Sequence, residues 1–280
     1  LMAKPFEFLK TYAESITIGI DTPASGGSGF LIGKKKDEYF FLTAGHVAIS
    51  DPSKEEYWVY SLGNGETKRY KVIKFIKPKE FQGKDIVIGS FKTKDILPLA
   101  IIFPIDKEKF VPSPPKLPFY TYDKFGSYND RSFNDKWEIQ GSPIVAGISI
   151  PTRSITVPLF RHSDIEMFAR AKGNQNGYEA IYLATSTVPG MSGGPIVGSR
   201  VCAQENPEYY RPNSLGGGWS DSGAYPGVIG LHGMSEEYSD SGGRSGTSLG
   251  IPLDLVVDFL GENADSFGVL VGRGYYDEVL

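Results

Sequence analysis

The chain has 280 residues, 40% of them hydrophobic, with 34 glycines and 19 prolines, which gives ample material for a large core and an unusual number of turns. Its 29 basic and 33 acidic residues leave a net charge of -4 and are mixed along the chain, so the basic footprint that nucleic acid binding requires is missing. A single cysteine, Cys202, excludes an internal disulfide and implies no oxidising compartment. The opening residues lack a charged segment followed by a long apolar run, and no stretch approaches a membrane span, so the expectation is a cytoplasmic protein without a membrane partner.

In chain order, Pro5 to Ser15 carries Phe6, Leu9 and Ala13 on one face and predicts a short amphipathic helix. Ser15 to Ile20 reads as strand. A hairpin follows, Ser28 to Gly33 paired with Tyr39 to Thr43 across the charged tip Lys34 to Glu38, and its second strand leads into Ala44-Gly45-His46-Val47. Tyr57 to Ser61, Tyr70 to Ile76 and Asp85 to Phe91 are further runs of β-branched and aromatic residues separated by turn residues. Short strands at this spacing imply a sandwich or barrel. Dense prolines from Pro98 to Pro118 forbid helix and central strand and mark a connector.

Strands resume at Trp137 to Gln140, Pro143 to Ile150 and Ser154 to Phe160. The capping box Ser163-Asp164-Ile165-Glu166, with Ile165, Phe168 and Ala169 on one face, predicts a helix. Glu179 to Thr185 is a strand, as is Val228 to Gly233. The segments Ser199 to Pro226 and Ser235 to Ser248, rich in Gly, Ser and Asn, read as loops. A closing helix is expected from Pro252 to Leu260, with Pro252 at its start and Leu253, Val256, Val257 and Leu260 on its apolar face.

Two stretches carry chemistry. In Gly190-Met191-Ser192-Gly193-Gly194-Pro195 a serine sits where the backbone must turn sharply and neighbours must approach closely. If Ser192 attacks a carbonyl carbon, the amides of Gly190 and Ser192 are placed to hold the oxygen as it becomes an anion. The competing reading is a glycine-rich turn with an incidental serine. A serine hydroxyl needs a base, and of three histidines His46 ends a buried-looking strand, whereas His162, among Arg161, Ser163 and Asp164, reads as a solvated loop residue. Read alone, His46 is equally a core histidine satisfied by a backbone carbonyl.

Taken together, Leu-Thr-Ala-Gly-His-Val followed by Gly-Met-Ser-Gly-Gly-Pro resembles the chymotrypsin-type (trypsin-like) serine peptidases. The resemblance spans roughly the strand and barrel region up to the closing helix and implies an all-β double β-barrel (chymotrypsin-like) with a C-terminal helix and long surface loops. As one domain, the chain divides into a first barrel over 15-103, a Pro-rich connector over 104-136, a second barrel over 137-251 and a C-terminal helix over 252-262. His46 and Ser192 match the family's base and nucleophile. Its aspartate falls between them, and Gly83-Lys84-Asp85-Ile86-Val87-Ile88 resembles the Asp-Ile-Ala-Val pattern of bacterial members, which assigns Asp85 to orient His46.

Gly190 and Ser192 match the oxyanion hole, and neither metal nor cofactor is implied. The expected activity is endopeptidase, with an acyl-enzyme on Ser192 and a protein or peptide as substrate. The rival is a catalytically silent relative that binds peptides or partners. An esterase of the nucleophile-elbow type would place its serine first, contrary to the order here.

Where digestive trypsins carry an aspartate before the serine, this chain has Met191, so activation by a new N-terminal amine is not expected. The better likeness is to HtrA-like and glutamyl-endopeptidase-like members, although the residues after 262 are too few for the PDZ domain of the former. The pocket by analogy is lined by Ser186, Thr187 and His232. Ser186 lacks the anion that favours Lys or Arg, and Val-Ile-Gly-Leu-His-Gly resembles the pocket segment of enzymes that cut after Glu or Gln. If His232 points away, small apolar residues are preferred instead. The glycine runs Gly216-Gly217-Gly218 and Gly242-Gly243 add entropy beside this pocket, which leads to an expected need for ordering by an activating protein partner, self-association or substrate.

Overall fold

The computed structural model describes residues 5–23, 26–62, 68–100, 102, 137–152, 155–162, 165–170, 179–183, 187–202, 224–237 and 244–268. Helix α1 (Pro5–Ile16) runs directly into β1 (Thr17–Asp21), so Ser15 and Ile16 are helical rather than extended. The Thr17 hydroxyl donates to the Ala13 carbonyl at 2.5 Å and Ser15 to Tyr12 at 2.6 Å, bonds that satisfy two carbonyls of the last helical turns.

β2 (Gly26–Lys35), β3 (Glu38–Thr43), β4 (Trp58–Ser61), β5 (Tyr70–Ile76) and β6 (Val87–Lys92) join β1 in a closed antiparallel barrel of order β1-β2-β3-β6-β5-β4, closed by pairing of β4 with β1. Closure removes the free sheet edges. The interior is aromatic. Tyr39 and Tyr70 both stack on Phe91, with centroids 5.7 and 5.0 Å away, and Phe41 and Tyr57 meet Phe75 edge-on. Such pairs add about 0.5–1.5 kcal/mol each beyond burial of area.

The second half is a seven-stranded antiparallel sheet. β7 (Trp137–Thr152), β8 (Ile155–His162), β9 (Ile165–Arg170), β10 (Glu179–Leu183), β11 (Pro195–Cys202), β12 (Ala224–Glu237) and β13 (Arg244–Pro252) follow in sequence and stand in the order β8-β7-β11-β12-β13-β10-β9. The two strands expected from Trp137 to Ile150 are one. Gly141, Ser142 and Pro143 are absorbed in a shift of register between Gln140 and Ile144 opposite β11, where a proline without an N–H costs no ladder bond.

Several expectations are corrected. The helix predicted from the capping box is instead β9, paired with β10 from Glu179↔Arg170 to Leu183↔Ile165. Six residues are too few to offset helix nucleation, and they alternate Ile165, Met167, Ala169 against Glu166, Phe168, Arg170 beside an available strand. Ser163 and Asp164 lie outside the described residues. His162 ends β8, opposite Ile144, and so is not a loop residue. The two expected loops are shortened, since Ser199–Cys202, Ala224–Pro226, Ser235–Glu237 and Arg244–Ser248 all lie in strands, their ladders extending pairings that begin in apolar sequence. The connector 104-136 and both glycine runs lie outside the described residues.

Pro252 closes β13, and α2 (Asp254–Glu262) begins two residues later, with Leu253, Val256 and Leu260 buried. α3 (Ala264–Phe267) follows and ends at Gly268, whose φ of 60° is the left-handed conformation of a C-terminal cap. This tail returns to the first barrel. Phe267 meets Phe40 edge-on at 5.0 Å, Phe259 meets Phe81 at 5.2 Å, and the Lys34 amide donates to the Gly268 carbonyl. A second link between the halves comes from the strand end after the barrel: Ala100 donates to the Leu31 carbonyl at 2.7 Å, and Ile102 bridges Val228 in parallel.

Candidate active site

β3 ends at Thr43, and the chain turns through Ala44 and Gly45 to His46, while β6 is preceded by Asp85. Because β3 and β6 pair with Thr43 opposite Val87, the residues just beyond one strand and just before the other come together at the same rim of the barrel. Asp85 grips His46 twice. One carboxylate oxygen accepts the His46 backbone N–H at 2.8 Å, and the other lies 2.6 Å from ring Nδ1. The ring is thereby fixed in position and tautomer: with a proton on Nδ1 toward Asp85, Nε2 is left as the acceptor nitrogen of a half-exposed side chain.

The electrostatics follow from this contact. The hydrogen bond that the His46 ring donates to Asp85 raises its pKa above the ordinary 6.5, partial burial opposes the rise, and the carboxylate charge adds to it. Burial pushes the Asp85 carboxyl up, but the His46 ring and backbone bonds, the imidazolium charge and the charge of Lys77 together hold it below its usual value. Lys77 is itself anchored on the Lys84 carbonyl at 2.9 Å.

The Ser192 turn is built from backbone. Met191 donates to the Val188 carbonyl at 3.2 Å and Gly194 to the Met191 carbonyl at 3.0 Å, two tight turns that place Ser192 at the apex. They require Gly190 at φ 100° and Gly193 at φ 88°, a region where a Cβ collides with the chain. At Gly193 the neighbours add a second reason, since a Cβ there would stand 2.2 Å from the Ser28 carbonyl oxygen and 2.7 Å from the Ala44 nitrogen. Met191 is buried and Ser192 half-buried. The amides of Gly190 and Ser192 stand on either side of the Gly190–Met191 peptide at this apex.

The turn and the histidine are joined through β2. Ser28 donates its amide to the Ser192 carbonyl at 2.9 Å and its hydroxyl to the Gly190 carbonyl at 2.6 Å, while its own carbonyl accepts the Thr43 hydroxyl at 2.7 Å. The strand that carries Thr43 toward His46 therefore shares Ser28 with the serine turn. Sequence reading missed Ser28 and Thr43. The available signal was a serine between Gly27 and Gly29 at the head of an apolar strand, which announces close backbone approach without naming the partner.

Of the pocket residues, Thr187 is buried beside the turn, Ser186 lies outside the described residues, and His232 sits on β12 opposite Gly250 of β13. Among the described residues no cluster of three His, Cys, Asp or Glu side chains is arranged for a metal ion, and no helix is long and apolar enough to cross a membrane.

No family model matches the sequence, and no curated protein matches it either. The fold does have counterparts. The crystal structure of the inactive form of Rv3671c protease superposes with a TM-score of 0.50 at 14% identity, covering 94% of this chain and 98% of that one. A likeness at that identity carries the fold, and the closed six-stranded antiparallel barrel is consistent with the chymotrypsin-like architecture.

Proposed function

We propose that this chain is a serine endopeptidase that works through an acyl-enzyme on Ser192. The observation that carries the reading is the double grip of Asp85 on His46, which leaves one ring nitrogen bare. A merely structural histidine has no need of a carboxylate that sets its tautomer and outlasts its protonation.

In the proposed reaction the Ser192 hydroxyl attacks the peptide carbonyl carbon and His46 Nε2 takes its proton. The carbonyl oxygen, now carrying the charge, is held by the Gly190 and Ser192 amides. Collapse of the adduct breaks the C–N bond, and the imidazolium returns the proton to the departing amine. Water then attacks the acyl ester with His46 again as base, and the free acid leaves. Asp85 stays ionised throughout and stabilises the imidazolium.

Ser186, Thr187 and His232 are proposed to line the pocket for the residue before the scissile bond, with Glu or Gln preferred because a polar pocket rejects side chains that leave its groups unpaired. The double barrel, the cytoplasmic location and an ordering partner or self-association belong to the same proposal.

Reaction with a fluorophosphonate, followed by digestion and mass mapping, tests the reading. A single adduct on Ser192 and turnover of a Glu- or Gln-containing peptide library are expected. A folded chain with neither adduct nor turnover would instead be a silent binding relative.

A further inference from the structure

Ser28, a buried residue of the first barrel, commits both its hydroxyl and its amide to backbone groups of the second half. Ile148 N–H on β7 only donates, and it reaches the Ser28 hydroxyl at 2.8 Å, so the hydroxyl accepts there. The Gly190 carbonyl only accepts, so the single hydroxyl proton points to it, at 2.6 Å. No rotamer of the hydroxyl serves both partners otherwise. The side chain is fully buried, and a Cβ at Gly147 would stand 2.7 Å from the Ser28 oxygen, so glycine there is what lets β7 come this close.

What these bonds hold is the link between the amides of Gly190 and Ser192. The Gly190–Met191 peptide lies between the Gly190 N–H on one side and the Ser192 N–H on the other. It is fixed at both ends, its oxygen by Ser28 and its N–H by the Val188 carbonyl. The next peptide but one, Ser192–Gly193, is fixed through its oxygen by the Ser28 amide at 2.9 Å. Gly190, at φ 100°, has no side chain to restrain the peptide by itself. Without the hydroxyl, the oxygen of the Gly190–Met191 peptide loses its donor, and the bonds that remain, Met191 N–H to the Val188 carbonyl, Gly194 N–H to the Met191 carbonyl and the Ser28 amide to the Ser192 carbonyl, hold other groups of the turn.

We infer that Ser28, a residue of the first barrel, is the positioning residue of the oxyanion hole: its hydroxyl sets the Gly190–Met191 peptide so that both amides converge on one oxygen. The inference rests on the serine peptidase reading and deepens it. Convergence matters in the transition state far more than in the bound substrate, because only there does the oxygen carry charge. Loss of the hydroxyl should therefore reduce kcat and spare KM.

The experiment compares the full chain with Ser28→Ala, Ser28→Cys and, as a control for losing a buried hydroxyl elsewhere, Thr17→Val, whose hydroxyl bonds the Ala13 carbonyl. Readouts are thermal midpoint, kcat and KM on a peptide substrate, and affinity for a peptide boronate that mimics the tetrahedral adduct. Ser28→Ala should lose about tenfold to a hundredfold in kcat, with KM within about twofold and boronate affinity falling in parallel with kcat/KM. Ser28→Cys, a weaker donor in the same place, should fall between. Thr17→Val should lower the midpoint and leave kcat alone. A folded Ser28→Ala with wild-type kcat overturns the role of Ser28, as does a boronate affinity that does not follow the rate. Should Ser28→Ala not fold, equal kcat for Ser28→Cys and wild type overturns it. A wild-type chain that neither labels at Ser192 nor turns over removes the peptidase reading and this role together, so the two failures are distinguishable.

Discussion

The two halves of the candidate site are built from different material. On the first barrel, His46 and Asp85 are held by side chains: one carboxylate makes both contacts, and the surrounding strands supply only position. On the second half, the turn around Ser192 is held by peptide groups, with glycines at φ 100° and 88° and bonds to neighbouring carbonyls. A side-chain site is tuned by charge, so it responds to pH and to isosteric changes of a single group. A backbone site is tuned by conformation, so it tolerates changes in charge and fails when a Cβ or a lost hydroxyl shifts a peptide. Substitutions in the two regions should therefore fail in different ways.

The largest expected effect lies at the apex of the turn. Ser192→Ala should lose about 10⁶-fold in kcat with an unchanged thermal midpoint, because it deletes the proposed nucleophile and none of the backbone bonds that hold the turn, and His46→Ala should lose nearly as much. Wild-type hydrolysis by either variant would remove the proposed mechanism. Next comes Asp85→Asn, which keeps the size of the side chain and reverses its preference for the ring proton. A loss of about 10⁴-fold with the fold retained is expected by steady-state kinetics and circular dichroism. A rate near wild type would assign the orienting role to another carboxylate.

The conformational half is tested by Gly193→Ala. Its Cβ would enter at a positive φ and 2.2 Å from the Ser28 carbonyl, so both stability and rate should fall. Strain at such a residue costs about 1–3 kcal/mol before any clash is counted, which a denaturant titration resolves. A stable but inactive variant would mean that the turn moved as a unit instead of straining.

The smallest effect is the pH response of the charged half. His46 must be neutral to accept the serine proton, and Asp85 raises its pKa, so kcat/KM should climb as pH rises through a value above 6.5. Asp85→Asn should move that limb to lower pH, as a pH–rate profile would show. The sign for stability differs between the partners. His46, with a raised pKa, contributes fully below 6.5 and loses its contribution as pH rises through the folded value. Asp85, with a lowered pKa, contributes above 3.8 and loses it as pH falls through the folded value. The difference in thermal midpoint between wild type and Asp85→Asn should therefore be greatest between those two pH values.

Much of the first barrel was legible because its strands are short, alternate in burial and are separated by turn residues: β5 was expected over its full length, and β3 and β4 to within a residue. The second half was less so. Its strands run on through glycine, serine and proline, as in β7 and β12, and composition alone reads such stretches as breaks. In the site, the residue types and their order were visible in the motifs around His46, Asp85 and Ser192, since each chemical task admits few side chains. The pairing of Asp85 with His46 was expected from the resemblance, but the bonds of Ser28 and Thr43 behind the serine turn were not.

The sequence by itself determined the local features: the α1 helix from its apolar face, the turn at Ser192 from glycines suited to φ near 100° and 88°, and the supply of an imidazole, a carboxylate and a hydroxyl. The tertiary structure alone decided that Ile165–Arg170 is a strand, that Asp85 grips His46 by its backbone as well as its ring, and that Ser28 binds a peptide 162 residues away. The reason is physical. A short segment's propensity is worth about a kilocalorie or less per residue, and ladder bonds to a distant strand override it. A buried hydroxyl takes whatever backbone groups the packing of two halves presents to it, and nothing in its own neighbourhood of the chain records which they are.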